Sequence, residues 1–305
     1  MGGKLFTHSI SDWDSWGRVF QSIEAFTPLV RFIYVREGLP FSDMEHLSEG
    51  TNAVFKVGQT VVKVFAPQES GVNDNMDYQT ERFGIRRANN LGIDAPKLLA
   101  HGCVRDAYAF DYLILQYINA KELDTVNESL TNDEKEAFAR KLRVVTDRMN
   151  TPCEEMQSVD VMERALANNR WQRFPKNFEK ERVAFLRAFA WPAPVYVHGD
   201  LNPGNVLVGA GVTPCIIDFA DALRAPVAYE WADVVCELFR FDAAYMKGYF
   251  GADWDAADMT ETCLCGLLMH LYGYNIIEDR FGDTSVFTGL SVLRKRLRDA
   301  LVIGL

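Results

Sequence analysis

The chain has 305 residues, 48% of them hydrophobic, and a formal net charge of −10. That length exceeds the size at which one core usually stops growing, so two lobes are expected. The acidic balance argues against a nucleic-acid partner, which needs a concentrated basic face, and no apolar run approaches the roughly 20 residues of a membrane span.

From the N-terminus, Ser11 to Phe26 places Trp13, Trp16, Phe20 and Ile23 near one helical face, which predicts a helix packed against the first lobe. Leu47 to Val57 reads as a strand, a polar turn around Gly50 and a second strand. Gln59-Thr60-Val61-Val62-Lys63-Val64-Phe65 sets a lysine inside a β-branched run. A lysine in such a strand either snorkels to water or meets a buried partner, and a solvated edge-strand lysine is the plainer alternative. Tyr78 to Leu91 reads as a helix carrying Glu81, followed by strands over Leu98 to Cys103 and Tyr112 to Ile118. Asn119-Ala120-Lys121-Glu122 is a polar break where the first lobe ends, dividing the chain into 1–118 and 119–305.

The second part opens on Thr131-Asn132-Asp133-Glu134, a capping-box pattern before a helix running to Asn150. Further helices are expected over Val161 to Arg173, Asn177 to Ala190, Glu230 to Arg240, Glu261 to Ile277 and Leu290 to Leu301. Six cysteines, Cys103, Cys153, Cys215, Cys236, Cys263 and Cys265, are scattered without C-x-x-C pairs, and the N-terminus lacks a signal peptide's apolar centre. Both points lead to an expectation of reduced thiols in the cytoplasm.

The chemistry concentrates in Val197-His198-Gly199-Asp200-Leu201-Asn202-Pro203-Gly204-Asn205, followed by Ile216-Ile217-Asp218-Phe219. The first run reads H-G-D-x-x-x-x-N, one residue from the kinase catalytic loop. A hairpin of Val206 to Val208 and Cys215 to Ile217 would bring Asp218 back beside Asn205. Phosphoryl transfer needs these residue types. The migrating group is already electrophilic, so a protein chiefly positions it, neutralises charge and orients the attacking hydroxyl. A carboxylate beside that hydroxyl orients it and takes its proton, the role given to Asp200. Magnesium accepts few protein ligands, all oxygen, and Asn205 and Asp218 supply an amide carbonyl and a carboxylate. His198 is expected inside, holding the loop by hydrogen bonds.

These segments resemble the aminoglycoside phosphotransferase family, small-molecule kinases related to choline and fructosamine kinases. The resemblance implies an α+β, bilobal protein-kinase-like fold with a small antiparallel-sheet lobe and a larger, mostly helical one. It implies that Lys63 contacts the nucleotide phosphates and pairs with Glu81. It also implies that Ser48 or Thr51 faces the phosphates from a short loop, and that Gln116 and Ile118 offer main-chain groups to the base. Ala220 stands where a protein kinase has the glycine of D-F-G, and no A-P-E triplet follows, which favours a small-molecule acceptor.

The implied activity is transfer of the γ-phosphoryl of ATP or GTP, with Mg2+, to a hydroxyl of a small cationic molecule such as an aminoglycoside, an antibiotic-resistance chemistry. Asp233 and Glu237, four apart on one helix face, and Glu230 are candidate acceptor contacts. Glu154, Glu155, Asp160 and Glu163 form a second acidic group, and Glu278 with Asp279 a third. Each group could equally be a solvated helix face. A metabolite kinase for choline, a sugar or a ketosamine, or a nucleotide-binding pseudokinase, remains open on these residues.

Overall fold

A computed structural model describes residues 4–48, 50–72, 76–156 and 159–303. The chain divides into two compact units, Met1–Asn119 and Ala120–Leu305.

In the first unit, α1 (Trp13–Gly17) and α2 (Ile23–Arg36) precede β1 (Met44–His46), β2 (Ala53–Val57) and β3 (Thr60–Val64); then come α3 (Met76–Asn90), β4 (Leu98–Arg105) and β5 (Ala109–Gln116). The strands form one sheet in the order β1-β2-β3-β5-β4, antiparallel throughout. The single N-terminal helix expected over Ser11 to Phe26 is two. Asp12 caps the first through Ser15, and the Ser22 side chain accepts the Ala25 N–H to start the second. Two competent N-caps ten residues apart nucleate separate helices, and the apolar stripe alone does not reveal the break.

One sheet face presents Phe55, Val62, Val64, Phe110 and Ile114 to Phe6, Trp16, Phe26, Leu29 and Ile33 of the N-terminal segment, a single buried cluster. Phe26 is fully buried with its ring 5.1 Å from Phe6 and 5.7 Å from Phe55. Truncating such a side chain to alanine costs about 3–5 kcal/mol. Because strand side chains alternate, Lys63, between Val62 and Val64, faces away from that cluster.

The second unit begins with β6 (Lys121–Glu122), α4 (Leu123–Val126), α5 (Asn132–Met149), α6 (Val161–Ala167) and α7 (Lys176–Ala188). The strands β7 (Val195–Val197), β8 (Val206–Gly209), β9 (Thr213–Ile216) and β10 (Leu223–Ala225) follow, then α8 (Ala228–Asp233), α9 (Ala243–Phe250), α10 (Ala256–Met269), α11 (Gly273–Phe281) and α12 (Leu290–Ile303). The Thr131–Glu134 capping box forms as its spacing predicts. The helix expected from Val161 to Arg173 stops at Ala167, where Asn168 turns its side chain onto the Arg170 N–H and starts a 3-10 turn. The helix expected from Glu230 to Arg240 becomes α8 and a π-turn over Val234–Leu238, and α9 has no counterpart in the sequence reading.

Two small strand sets frame the loops. Strand β7 pairs with β10, and β8 pairs with both β9 and β6. Helix α10 is the axis of the helical layer: a Cβ on its Gly266 would run into the Ala228 carbonyl and within 2.6 Å of Ala232 Cβ. Only glycine lets α8 and α10 approach so closely. Among the described residues no helix is long and apolar enough to cross a membrane.

Candidate active site

In the first unit Lys63 lies on a central strand, flanked in register by Val54 of β2 and Leu113 of β5. It is therefore not the edge-strand lysine of the plainer alternative. Its Nζ stands 2.5 Å from Glu81 Oε2 on α3, and both side chains are buried. An ion pair at that depth must be closely matched, because an isolated buried charge costs several kcal/mol. Ser48 and Thr51 are exposed, and Glu49 between them lies outside the described residues. The end of their loop is pinned: the Thr51 carbonyl accepts Trp16 Nε1–H at 2.9 Å, and buried Asn52 accepts the Ala66 N–H at 3.0 Å. Strand β5 ends at Gln116, two residues before the Ile118 expected from sequence. The N–H groups of Gln116 and Tyr117 donate to Lys97 and Gln59, whereas that of Ile118 donates to none of the described residues.

In the second unit, β7 delivers a buried His198, whose Nε2 lies 3.0 Å from the Ile217 carbonyl. Gly199 follows at φ +82°, where a Cβ would strike the Asp221 carbonyl and Leu223. No other residue type fits there without moving backbone. Asp200 is then held through both carboxylate oxygens, by Asn202 Nδ2 at 2.9 Å and Asn205 Nδ2 at 2.8 Å. Asn202 also accepts the Gly204 and Asn205 N–H groups, closing the turn. Burial pushes the Asp200 carboxyl above its usual range, and the nearby Asp218 charge pushes the same way against the Asn202 and Asn205 donors.

The β8–β9 hairpin returns the chain beside Asn205, whose carbonyl accepts the Ile217 N–H at 3.0 Å. Asp218 adopts a left-handed φ of +58°, unusual for a residue with a side chain. Because Asn205 Nδ2 donates to Asp200 twice, its Oδ1 is turned from that carboxylate and accepts no hydrogen bond among the described residues. The set Asn205 and Asp218 fits a hard cation that takes few protein oxygens, and among the described residues no larger cluster of His, Cys, Asp or Glu offers an alternative.

Asp200 opens on a cavity of about 360 Å³ that is also lined by Asp124, Asn202, Asp233, Glu237, Arg240, His270 and Asp279. Of the sequence candidates, Asp233, Glu237 and Asp279 reach it and Glu230 does not. Glu230 is fully buried beneath the loop, where its carboxylate accepts the His198 N–H and, at 2.8 Å, Asn150 Nδ2. It braces backbone, so its acceptor role is withdrawn. Asp160 caps α6, and Glu278 pairs with Arg173 at 2.5 Å. Asn202, Asn150 and His270 join the site without being candidates from sequence. The first lies within the quoted motif, and the other two carry no local signal.

The model of the phosphotransferase enzyme family matches residues 44–259. The chain belongs to that family. As a member it is a nucleotide-dependent small-molecule kinase. No curated protein matches it. Among solved structures, this phosphotransferase is similar to aminoglycoside 2'-phosphotransferase-IIIa in its GDP complex, at 16% identity and a TM-score of 0.62, covering 92% of this chain and 99% of that one. It is also similar to a choline/ethanolamine kinase family protein from Mesorhizobium loti, at 15% identity and a TM-score of 0.55, covering 86% and 88%. A thermostable mutant of aminoglycoside phosphotransferase APH(4)-Ia, in ternary complex with ADP and hygromycin B, matches at 18% identity and a TM-score of 0.55, covering 90% and 98%. These likenesses establish the protein-kinase-like α+β fold.

Proposed function

We propose that this phosphotransferase moves the γ-phosphoryl of ATP or GTP to a hydroxyl of a small cationic molecule of the aminoglycoside kind. The observation that carries the reading is Asp200, fixed through both oxygens by Asn202 and Asn205 and facing a cavity lined by four further carboxylates, Asp124, Asp233, Glu237 and Asp279, against a single arginine, Arg240. Cationic groups beside such carboxylates gain charge-assisted hydrogen bonds. Asp124 pairs with Arg240 at 2.8 Å and Glu237 with Arg280 at 3.6 Å, which leaves the excess negative charge to Asp200, Asp233 and Asp279.

In this reading Asp200 orients the acceptor hydroxyl and takes its proton as the oxygen bonds to the γ-phosphorus and the bond to the β-phosphate oxygen breaks. Lys63, steadied by Glu81, binds the α- and β-phosphates, Ser48 or Thr51 faces them, and main-chain groups at Gln116 and Ile118 meet the base. The Gln116 N–H is already committed to Lys97, so its carbonyl and the Ile118 N–H are the groups assigned. Asn205 Oδ1 and Asp218 would hold Mg2+, which when bound neutralises the charge of the transferring phosphate. Asp233 and Glu237 would take the acceptor's ammonium groups. Release of ADP or GDP with magnesium, measured across aminoglycosides, choline, ketosamines and sugars, tests the proposal. Turnover confined to uncharged sugars would refute the cationic acceptor.

A further inference from the structure

We propose that His270 is a positioning residue for phosphoryl transfer: it holds the Gly199 carbonyl, and thereby sets the direction of the adjoining Asp200. The inference rests on the reading of Asp200 as the group that orients the acceptor.

The geometry begins with the end of α10. His270 is the residue at which the helix stops, in an extended conformation, and it is 1% exposed although it lines the cavity. Its Nδ1 accepts the Tyr272 N–H at 3.1 Å. The hydrogen of the ring is therefore on Nε2, which lies 3.2 Å from the Gly199 carbonyl. A carbonyl can only accept, so this contact has one direction. The ring is fixed from the side by Tyr229, with centroids 4.1 Å apart, and the Tyr229 hydroxyl is itself held by Arg164 at 2.9 Å and the Leu271 N–H at 3.1 Å.

Pairing with Asp233 does not account for this arrangement. Asp233 Oδ2 is 3.1 Å from His270 Nε2 and attracts the ring, but the Nε2–H is better aligned with the Gly199 carbonyl, which is where the geometry places its hydrogen bond. What the loop needs is a stop. Glycine has the widest backbone freedom of any residue, and Gly199 sits at φ +82° immediately before Asp200. Rotating the Gly199–Asp200 peptide would swing its carbonyl and turn the Asp200 backbone with it. Glu230 restrains the N–H side of Gly199, and His270 alone among the described residues hydrogen-bonds its carbonyl through a side chain. Asn202 and Asn205 hold the carboxylate from within the loop, and His270 ties that loop to the helical layer.

The test uses the whole chain and reads MgATP and MgGTP hydrolysis with water as the acceptor, so it does not depend on the acceptor's identity. Gln can place an amide N–H where Nε2 stands, whereas Asn reaches only the Nδ1 place. His270→Gln is expected to keep kcat within about threefold. His270→Asn and His270→Leu are expected to lose roughly ten- to hundredfold, the span of one buried hydrogen bond. Nucleotide KM stays within about twofold in all three, because no phosphate contact changes. If the Leu variant does not fold, the Gln and Asn pair, alike in polarity, decides. Equal kcat in Gln and Asn variants, or a raised KM at unchanged kcat, overturns the positioning role. A wild type that hydrolyses neither nucleotide overturns the phosphotransfer reading of this site and the role of His270 with it. Wild-type turnover matched by every variant overturns the role of His270 alone.

Discussion

Glu230 gives a pH dependence that can be worked from its surroundings. It is fully buried, and burial pushes its carboxyl from 4.5 to about 7 against the Asn150, His198 and Gly199 donors. The folded protein therefore binds more protons than the unfolded chain between these two values. With fewer protons on the unfolded side, stability falls as pH rises through the window: nothing is lost below 4.5, and the full cost is present above about 7. Roughly 2.5 pH units at 1.36 kcal/mol each amounts to about 3 kcal/mol.

Glu230→Gln removes the titration and keeps the shape. One donor, Asn150 Nδ2 or a loop N–H, then faces an amide nitrogen, as it faces a protonated acid in the wild type at low pH. The two proteins should be within about 1 kcal/mol of each other at pH 4.5, with the variant gaining on the wild type by about 3 kcal/mol by pH 8. Urea midpoints at both pH values measure this, with the buried Asp200 common to both proteins. Parallel pH profiles for the two proteins would refute the reasoning.

Further outcomes are expected from the same structure. Asp200→Asn should reduce nucleotide turnover by at least about a thousandfold while nucleotide affinity, measured by calorimetry, stays within about threefold; normal turnover would sink the assignment. Lys63→Ala should weaken nucleotide affinity as well as turnover, because it strips Glu81 of the cation 2.5 Å away. Arg182 is fully buried: it pairs with Glu179 at 3.2 Å, donates to the Ala165 carbonyl at 2.5 Å and the Leu268 carbonyl at 3.2 Å, and stacks 4.2 Å above Trp171. Arg182→Leu should destabilise the chain by about 3 kcal/mol in urea melts, since it leaves two buried carbonyls without donors. Gly266→Ala should cost about 2 kcal/mol despite the better helix propensity of alanine, and an unchanged midpoint would mean that α8 and α10 can part without loss.

The sequence carries the phosphotransfer loop openly because that chemistry is local. His198, Asp200, Asn205 and Asp218 lie within a span of 21 residues, and one hairpin suffices to bring Asp218 back towards Asn205. The pairing of Lys63 with Glu81 was legible only through the family resemblance, since the strand by itself leaves a solvated lysine equally open. The supports were not. Asn150 reaches Glu230 across 80 residues, and His270 reaches Gly199 across 71. Neither stands in a pattern, because a residue that ends an apolar helix shows no sign of what lies beyond its tip. The place of Glu230 is hidden for the same reason. The residue precedes Asp233 and Glu237 on the same segment, yet α8 sends it beneath the loop while the other two meet the cavity. Periodicity tells which residues share a face of a helix, and the packing of that helix decides whether the face meets substrate or backbone. For Glu230 the deciding fact is the close approach of the chain just after β7, where the backbone N–H groups of His198 and Gly199 both meet its single carboxylate.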